Sequence, residues 1–145
     1  MSALWLGAAL GLGACPAAPP EHAPMMHRHP DALLQLLRPR GSEPVPAAYD
    51  TAEAAFARAT ADYEAQRYLE AARGFLDAAR RLHIDGPPYA GGFTGNRRIC
   101  YRNAAAAFSA SGDIAGGRQA LAAAARDDPA CADTLAELEA GLAPL

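Results

Sequence analysis

The chain has 145 residues, with 16 acidic side chains against 13 basic ones, all of them arginine, and a formal net charge of −3. This balance gives no general basic surface, which argues against nucleic acid as a partner. A chain of this length accommodates one domain.

The chain begins with an uncharged run of apolar residues and glycines, LWLGAALGLGA at positions 4–14, which ends at Cys15 and is followed by proline. The run is shorter than the ~20 residues that span a bilayer, and it has the length of the apolar region of a secretory signal. Residues 12–15, Leu-Gly-Ala-Cys, resemble the lipobox of bacterial lipoproteins. That resemblance implies that residues 1–14 are a signal peptide, that cleavage precedes Cys15, and that lipid is attached to Cys15.

The same resemblance places the chain in the bacterial cell envelope, facing the periplasm and anchored to a membrane through its lipid. The first residues, MSA, carry no Arg or Lys, although signal peptides normally have positive charge there. A soluble secreted protein and a cytosolic protein therefore stay open as alternatives.

Residues 15–46 are predicted to form a lipidated, proline-rich tether, because eight prolines between positions 16 and 46 block regular structure. One short helix is predicted near residues 31–38, with Asp31 as its N-cap and Pro39 as its end. Its leucines give it an apolar side that could dock on the domain, lie on the membrane or pair with a partner. A helix this short is not stable alone.

Soft metal ligands are concentrated in the tether, within the stretch EHAPMMHRH. Thioether and imidazole groups of this kind suit copper or zinc in an envelope compartment. The five candidate ligands are His22, Met25, Met26, His27 and His29. A periplasmic copper- or zinc-binding protein is therefore the alternative function, while a flexible linker of chance composition explains the same residues without a metal.

From Ala47 onward the apolar residues recur at a spacing of three and four, which is typical of amphipathic helices. The predicted helices cover 47–66, 68–83, 97–110, 114–127 and 130–141. The loop IDGPPYAGGFTGN separates the second helix from the third, and Asp128 with Pro129 is predicted to cap the last one. No segment alternates apolar and polar residues convincingly, so the predicted fold class is all-α.

The second pair of helices resembles a tetratricopeptide repeat (TPR), in which large residues form knobs and small residues let two helices approach. The residues that carry the resemblance are Tyr101, Ala104, Ala105, Phe108, Gly112, Asp113, Ile114, Gly117, Leu121, Ala124, Asp128 and Pro129. The first pair matches in part, with Tyr68 equivalent to Ile114 and the extra residues placed in the loop 84–96. The resemblance implies tandem TPR-like helical hairpins with a C-terminal capping helix over residues 47–142. The alternative is an unrelated alanine-rich bundle.

The chain offers no catalytic constellation. His83 is the only histidine outside the tether, and no suggestive spacing of Ser, His and Asp appears. The glycines of YAGGFTGN follow prolines rather than a strand and lack the lysine of a phosphate loop. The chain is therefore predicted to be no enzyme and to use no cofactor. The TPR resemblance implies a domain that binds an unidentified protein or peptide, as an adaptor or assembly factor.

The TPR resemblance also assigns candidate partner-binding residues. In a TPR array the first helix of each hairpin lines the concave groove, which implies that Arg102 and Asn103 lie near a ligand surface. Arg98 is a further candidate because it shares a helical face with Arg102. A solvated charge cluster is the simpler explanation of the two arginines. In the loop, Tyr89 and Phe93 form either an aromatic contact patch or a lid that folds back on the small core.

Two cysteines remain after lipidation. Cys100 and Cys131 are an even pair in an oxidising compartment, where disulfides persist. In a TPR-like stack their two helices run side by side with axes ~8–10 Å apart, which implies a Cys100–Cys131 disulfide. Two small buried thiols that never meet are the alternative.

Overall fold

The alanine-rich part of the chain is helical, and its helices end close to the turns that the sequence predicts. The computed structural model describes residues 34–38, 47–83 and 93–145, and all regular structure within these ranges is helical. The helices are α1 (Ala47–Glu64), α2 (Tyr68–Arg81), α3 (Thr94–Ser111), α4 (Ile114–Asp127), a 3-10 turn (Pro129–Cys131) and α5 (Ala132–Gly141). The described residues thus agree with the predicted all-α fold class. None of these described helices is long and apolar enough to cross a membrane.

The four longer helices form two hairpins of equal dimensions. α1 and α3 have 18 residues each, and α2 and α4 have 14. Tyr68 and Ile114 each begin the second helix of their hairpin. Short connections at 65–67 and 112–113 make each pair an antiparallel hairpin. Because α3 packs more extensively on α2 than on α4, the two hairpins share one continuous core.

The first hairpin is held by a close contact of small residues and by an aromatic pair. At Gly74 on α2, a Cβ atom would lie 2.8 Å from Cβ of Ala59 on α1, so the helices approach as closely as glycine permits. Phe56 and Phe75 pack edge to face, with ring centroids 5.2 Å apart. Both rings are buried between the helices, and they supply much of the apolar area that an alanine-rich interface lacks.

The second hairpin has its own close contact, at Gly117 on α4. A Cβ atom there would lie 2.6 Å from Cδ2 of Leu142 and 2.9 Å from Cβ of Phe108. A side chain at position 117 would therefore collide with both residues, so this helix contact needs glycine. Leu142 is buried, and the Leu145 N–H donates to the Ser109 carbonyl oxygen at 3.4 Å. The residues after α5 therefore pack back on this hairpin.

Residues 34–38 correct the prediction of a short helix near 31–38, because they are not helical. The N–H groups of Gln35 and Arg38 donate to side chains of α3, so neither is available for a helical main-chain hydrogen bond. Leu34 and Leu37 pack against the core, so this part of the predicted tether belongs to the domain. The predicted signal peptide 1–14 and the remaining tether residues lie outside the described residues.

The structure also corrects the predicted Cys100–Cys131 disulfide, because both residues are free, buried thiols. The Cys131 Sγ lies 3.9 Å from the carbonyl oxygen of Thr94, to which it donates. Thr94 precedes Cys100 by six residues, about 9 Å along the axis of α3, so the Cys131 thiol bonds to the first turn of α3 and not to Cys100. Burial raises the pKa of the Cys100 thiol to about 12, so Cys100 acts as a small apolar side chain.

Candidate functional site

One face of α3 holds the chain's own residues 34–38 through an asparagine side chain. The Asn103 Oδ1 atom accepts a hydrogen bond from the Gln35 N–H at 2.9 Å, and the Asn103 Nδ2 group donates to the Gln35 carbonyl oxygen at 3.0 Å. Asn103 is only 1% exposed. Both ends of its amide therefore bond to the main chain of a single residue, an arrangement that recognises backbone and not side-chain identity.

A second asparagine repeats this arrangement. The Asn96 Oδ1 atom accepts from the Arg38 N–H at 3.1 Å, and Asn96 Nδ2 donates to the Arg38 carbonyl oxygen at 3.4 Å. The Tyr49 hydroxyl of α1 donates to the same carbonyl at 3.3 Å. The segment thus contacts the first helices of both hairpins. We name this surface, defined by Tyr49, Asn96 and Asn103, the asparagine face.

The spacing of the two asparagines matches that of an extended chain. Asn96 and Asn103 are seven residues apart, about 10.5 Å along α3. Gln35 and Arg38 are three residues apart, about 9–10 Å in a polyproline-type or β-type chain. The later segment residue pairs with the earlier helix residue, so the two run in opposite directions. One peptide can therefore satisfy both asparagines without distortion.

The side chains of the segment follow a period of three. Leu34 and Leu37 are half-buried against the core, whereas Leu36 is 80% exposed and Gln35 and Arg38 also face solvent. A period of three is typical of a polyproline-type chain, since a β-strand alternates with a period of two. The asparagine face thus bonds main chain at two positions and accepts apolar side chains at two others.

The residue after Asn96 belongs to a buried ion pair. Arg97 Nε donates to Asp128 Oδ2 at 2.8 Å, with side chains only 5% and 2% exposed. The Tyr101 hydroxyl donates to the same carboxylate oxygen at 2.9 Å, and Arg97 Nη1 donates to the Leu82 carbonyl at 3.3 Å. The pair therefore ties the end of α2, the start of α3 and the turn before α5 to one another.

Hydrogen bonds keep this ion pair charged despite its burial. Burial alone would raise the pKa of Asp128, but hydrogen bonds from Arg97 and Tyr101 outweigh that effect and hold the pKa of the carboxyl below its ordinary value. Burial, together with the neighbouring carboxylate, raises the pKa of Tyr101. The sequence predicts Asp128 as a helix cap, and the structure corrects this role, because the carboxylate makes no capping bond.

The predicted polar partner-binding residues have different positions in the structure. Only Asn103 takes part in the asparagine face. Arg102 is exposed beside it. Arg98 is half-buried and donates through Nη2 to the Ala130 carbonyl oxygen at 3.4 Å, toward the turn that precedes α5. Arg98 thus makes a contact within the domain, and Arg102 is the one of these two arginines that solvent reaches freely.

The predicted aromatic patch is described only in part. Phe93 packs on Tyr49, with ring centroids 5.1 Å apart, so its ring supports the tyrosine that bonds to the Arg38 carbonyl. Phe93 therefore packs on the domain rather than projecting from it. Tyr89 lies outside the described residues.

Three residues that matter here do not appear among the predicted site residues: Asn96, Arg97 and Asp128. Asn96 could have been predicted from the sequence, because it lies seven residues before Asn103 and therefore shares its helical face. Arg97 could not have been predicted in this way. It is adjacent to Arg98 in the sequence and differs from it only by the 100° turn of the helix, which buries one guanidinium and leaves the other near the surface.

A shallow cleft of about 270 Å³ lies between α2 and α4. Its walls are Leu76, Arg80, His83, Tyr101, Ala120, Ala123, Ala124, Asp127 and Asp128. Tyr101 and Asp128 are already bonded within the ion-pair cluster, so they are not free to act on a bound molecule. The other ionisable side chains of the cleft are Arg80, His83 and Asp127.

Within the described residues, no three His, Cys, Asp or Glu side chains converge to hold a metal ion. The residues predicted to bind metal or to carry lipid lie outside that part of the chain: His22, Met25, Met26, His27, His29 and Cys15. Comparison with known protein families, with curated proteins and with solved structures gives no match. The contacts of the asparagine face are therefore the main guide to function.

Proposed function

We propose that the chain is a non-catalytic adaptor of the bacterial cell envelope, whose asparagine face binds an extended segment of a partner protein. One observation carries the proposal: Asn96 and Asn103, two buried amides, each bond to both main-chain groups of a single residue. A helix that only had to pack would not need these amides, since a buried, unpaired amide costs about 1–3 kcal/mol.

Two further features support binding rather than catalysis. The asparagine face is formed by the first helices of both hairpins, which is where the TPR resemblance implies a ligand surface. Tyr101 and Asp128, whose pKa values differ from their ordinary values, are bonded to each other and to Arg97 inside the domain. They stabilise the helix that carries the asparagines and do not face the segment.

The test uses a fluorescein-labelled decapeptide, DALLQLLRPR, which copies residues 31–40. The full chain with Leu34→Asp and Leu37→Asp provides a vacated asparagine face, because buried carboxylates disfavour docking of the chain's own segment. We expect saturable binding of the probe, measured by fluorescence polarisation.

Adding Asn103→Ala to the vacated chain is expected to weaken probe binding at least tenfold. Arg102→Ala is the matched control, because the neighbouring residue is exposed and bonds to neither segment residue; it is expected to change binding less than threefold. A vacated chain that keeps its helical circular dichroism but does not bind the probe would refute the proposed function.

The location is proposed from the lipobox resemblance of residues 12–15. Cys15→Ser is expected to abolish incorporation of labelled palmitate and to release the chain from the membrane fraction. Wild-type chain recovered from that fraction without lipid on Cys15 would contradict the proposed anchor.

A further inference from the structure

We infer that partner segments of the asparagine face have the pattern apolar-x-x-apolar in an extended conformation, and that residues 34–38 compete with them as an internal occupant. This inference rests on the proposed function. It adds the chemistry of the partner and the state of the chain before the partner arrives.

The pattern follows from which groups of the seated segment touch the domain. Leu34 and Leu37 pack against the core, while Gln35, Leu36 and Arg38 leave their side chains in solvent. The domain therefore constrains two side chains, three residues apart, and bonds the main chain at the residue following each of them. Leu36 is 80% exposed, although it is the same residue type as the packed Leu34 and Leu37. The position of a side chain in the segment therefore decides whether it packs on the domain.

Competition follows from the hydrogen-bonding capacity of the two asparagines. Each side-chain amide already donates to a carbonyl and accepts from an N–H of the segment. Both amides are buried by that contact, with Asn103 only 1% exposed. A partner can bond to the same amides only after Gln35 and Arg38 have left. The free chain thus presents a closed site.

The expected size of the effect follows from the short connection between the segment and α1. Residues 39–46 link Arg38 to Ala47, and a link of this length gives an effective concentration in the millimolar range. An occupant at that concentration keeps the site closed for most of the time. The apparent Kd of a competitor then equals its Kd for the open site divided by the fraction of time that the site is open. A peptide that binds the vacated face with Kd near 100 μM would therefore bind the wild-type chain about tenfold more weakly.

The first measurement compares the labelled decapeptide DALLQLLRPR on three full-length chains: wild type, the vacated chain, and Gln35→Pro. The proline removes the N–H that Asn103 accepts and leaves both packed leucines in place, so it opens the site without placing a charge against the core. We expect the vacated chain to bind at least tenfold more tightly than wild type, and Gln35→Pro to bind severalfold more tightly.

The second measurement tests the pattern with altered decapeptides on the vacated chain. The probe with Leu34→Ser and Leu37→Ser is expected to lose at least tenfold in affinity. The probe with Gln35→Ser and Leu36→Ser is the matched control, with the same number of changes at exposed positions, and is expected to stay within threefold.

Three results would overturn the inference while leaving the proposed function intact. Equal affinity of the probe for wild-type, vacated and Gln35→Pro chains would show that residues 34–38 do not compete. Equal losses for the two altered probes would refute the apolar-x-x-apolar pattern. A wild-type chain that light scattering shows to be a dimer, and a vacated chain that is a monomer, would identify the occupant as a second copy of the chain. Failure of any probe to bind the folded vacated chain would instead refute the proposed function itself.

Discussion

The two helical hairpins have the same dimensions but bury different chemistry. α1 and α3 each have 18 residues, yet the buried residues of α1 are two aromatic residues and three alanines, whereas α3 also buries Asn96, Arg97 and Asn103. The equal dimensions of the two hairpins therefore account for their apolar packing, but they do not explain why α3 also buries polar residues. Two of them hold residues 34–38, and the third forms the ion pair with Asp128.

The difference between the hairpins has an energetic meaning. Apolar burial on α1 stabilises the domain directly, while each buried polar group of α3 first loses its hydration and then regains bonds inside the domain. The buried polar groups of α3 therefore contribute to stability only through the bonds that they make. The comparison predicts that substitutions of the residues in those bonds have larger effects than substitutions in the turns that both hairpins share.

The largest expected effect comes from the buried ion pair. Asp128→Ala leaves the Arg97 guanidinium buried without its carboxylate, and breaking a pair of this kind lowers the free energy of unfolding by about 3–5 kcal/mol. Asp127→Ala is the matched control, because Asp127 is the exposed last residue of α4, and it is expected to change stability by less than about 0.5 kcal/mol. Urea denaturation followed by circular dichroism measures both. Equal losses in the two variants would show that the ion pair is not a special support of α3.

The same pair predicts a dependence of stability on pH. The pKa of Asp128 is lower in the folded chain than its ordinary value, so the carboxylate contributes stability above the unfolded pKa of about 4. That contribution is lost as the pH falls through the lower, folded value. The difference in unfolding free energy between wild type and Asp128→Asn is therefore expected to be full at pH 7 and to shrink below pH 4. A difference that grew on acidification would contradict the direction of the pKa shift.

The smallest expected effects lie in the two hairpin turns, where the same backbone conformation is supplied by different residues. Gln66 has φ 64° and Gly112 has φ 80°, so both end their helix in the left-handed region. In the first turn the Arg67 N–H bonds to the Asp62 carbonyl at 2.8 Å, which completes a Schellman-type end. The left-handed region costs a non-glycine residue about 1–2 kcal/mol.

Gln66→Gly is therefore expected to raise the free energy of unfolding by about 0.5–1 kcal/mol, because glycine adopts this conformation without strain but gains entropy in the unfolded chain. Gly112→Ala is the reciprocal change and is expected to lower it by about 1 kcal/mol. Thermal melts of the two variants give opposite shifts if both turns need the same conformation. Shifts of the same sign would contradict that equivalence.

The sequence alone predicted the helices, but it did not predict which residues bond to the polar side chains of α3. Helical spacing of apolar residues predicted all five described α-helices. The segment 34–38 was predicted as a helix because its leucines have helical spacing. Its actual conformation depends on Asn96 and Asn103, which lie more than fifty residues away in the chain, and no local pattern contains that information.

The cysteines show a second limit of local reasoning. The cysteine count and the TPR resemblance predicted a bridge between Cys100 and Cys131, but Cys131 lies in the turn before α5 and its thiol donates to the Thr94 carbonyl oxygen. Asp128, which precedes this turn, pairs with the buried Arg97 of α3, and the sequence does not distinguish Arg97 from its neighbour Arg98. Sequence patterns thus predicted which helices form, but not which polar side chains meet between them.

Amide hydrogen exchange, followed by NMR on the full-length chain, tests the central claim most directly. The account predicts that the N–H groups of Gln35 and Arg38, which donate to the two asparagines, exchange at least tenfold more slowly than the N–H of the exposed Leu36. Asn103→Ala is expected to remove the protection of Gln35, whereas Arg102→Ala preserves it. Gln35 and Arg38 exchanging as fast as Leu36 in the wild-type chain would show that the asparagine face does not hold an extended segment, and would contradict the account.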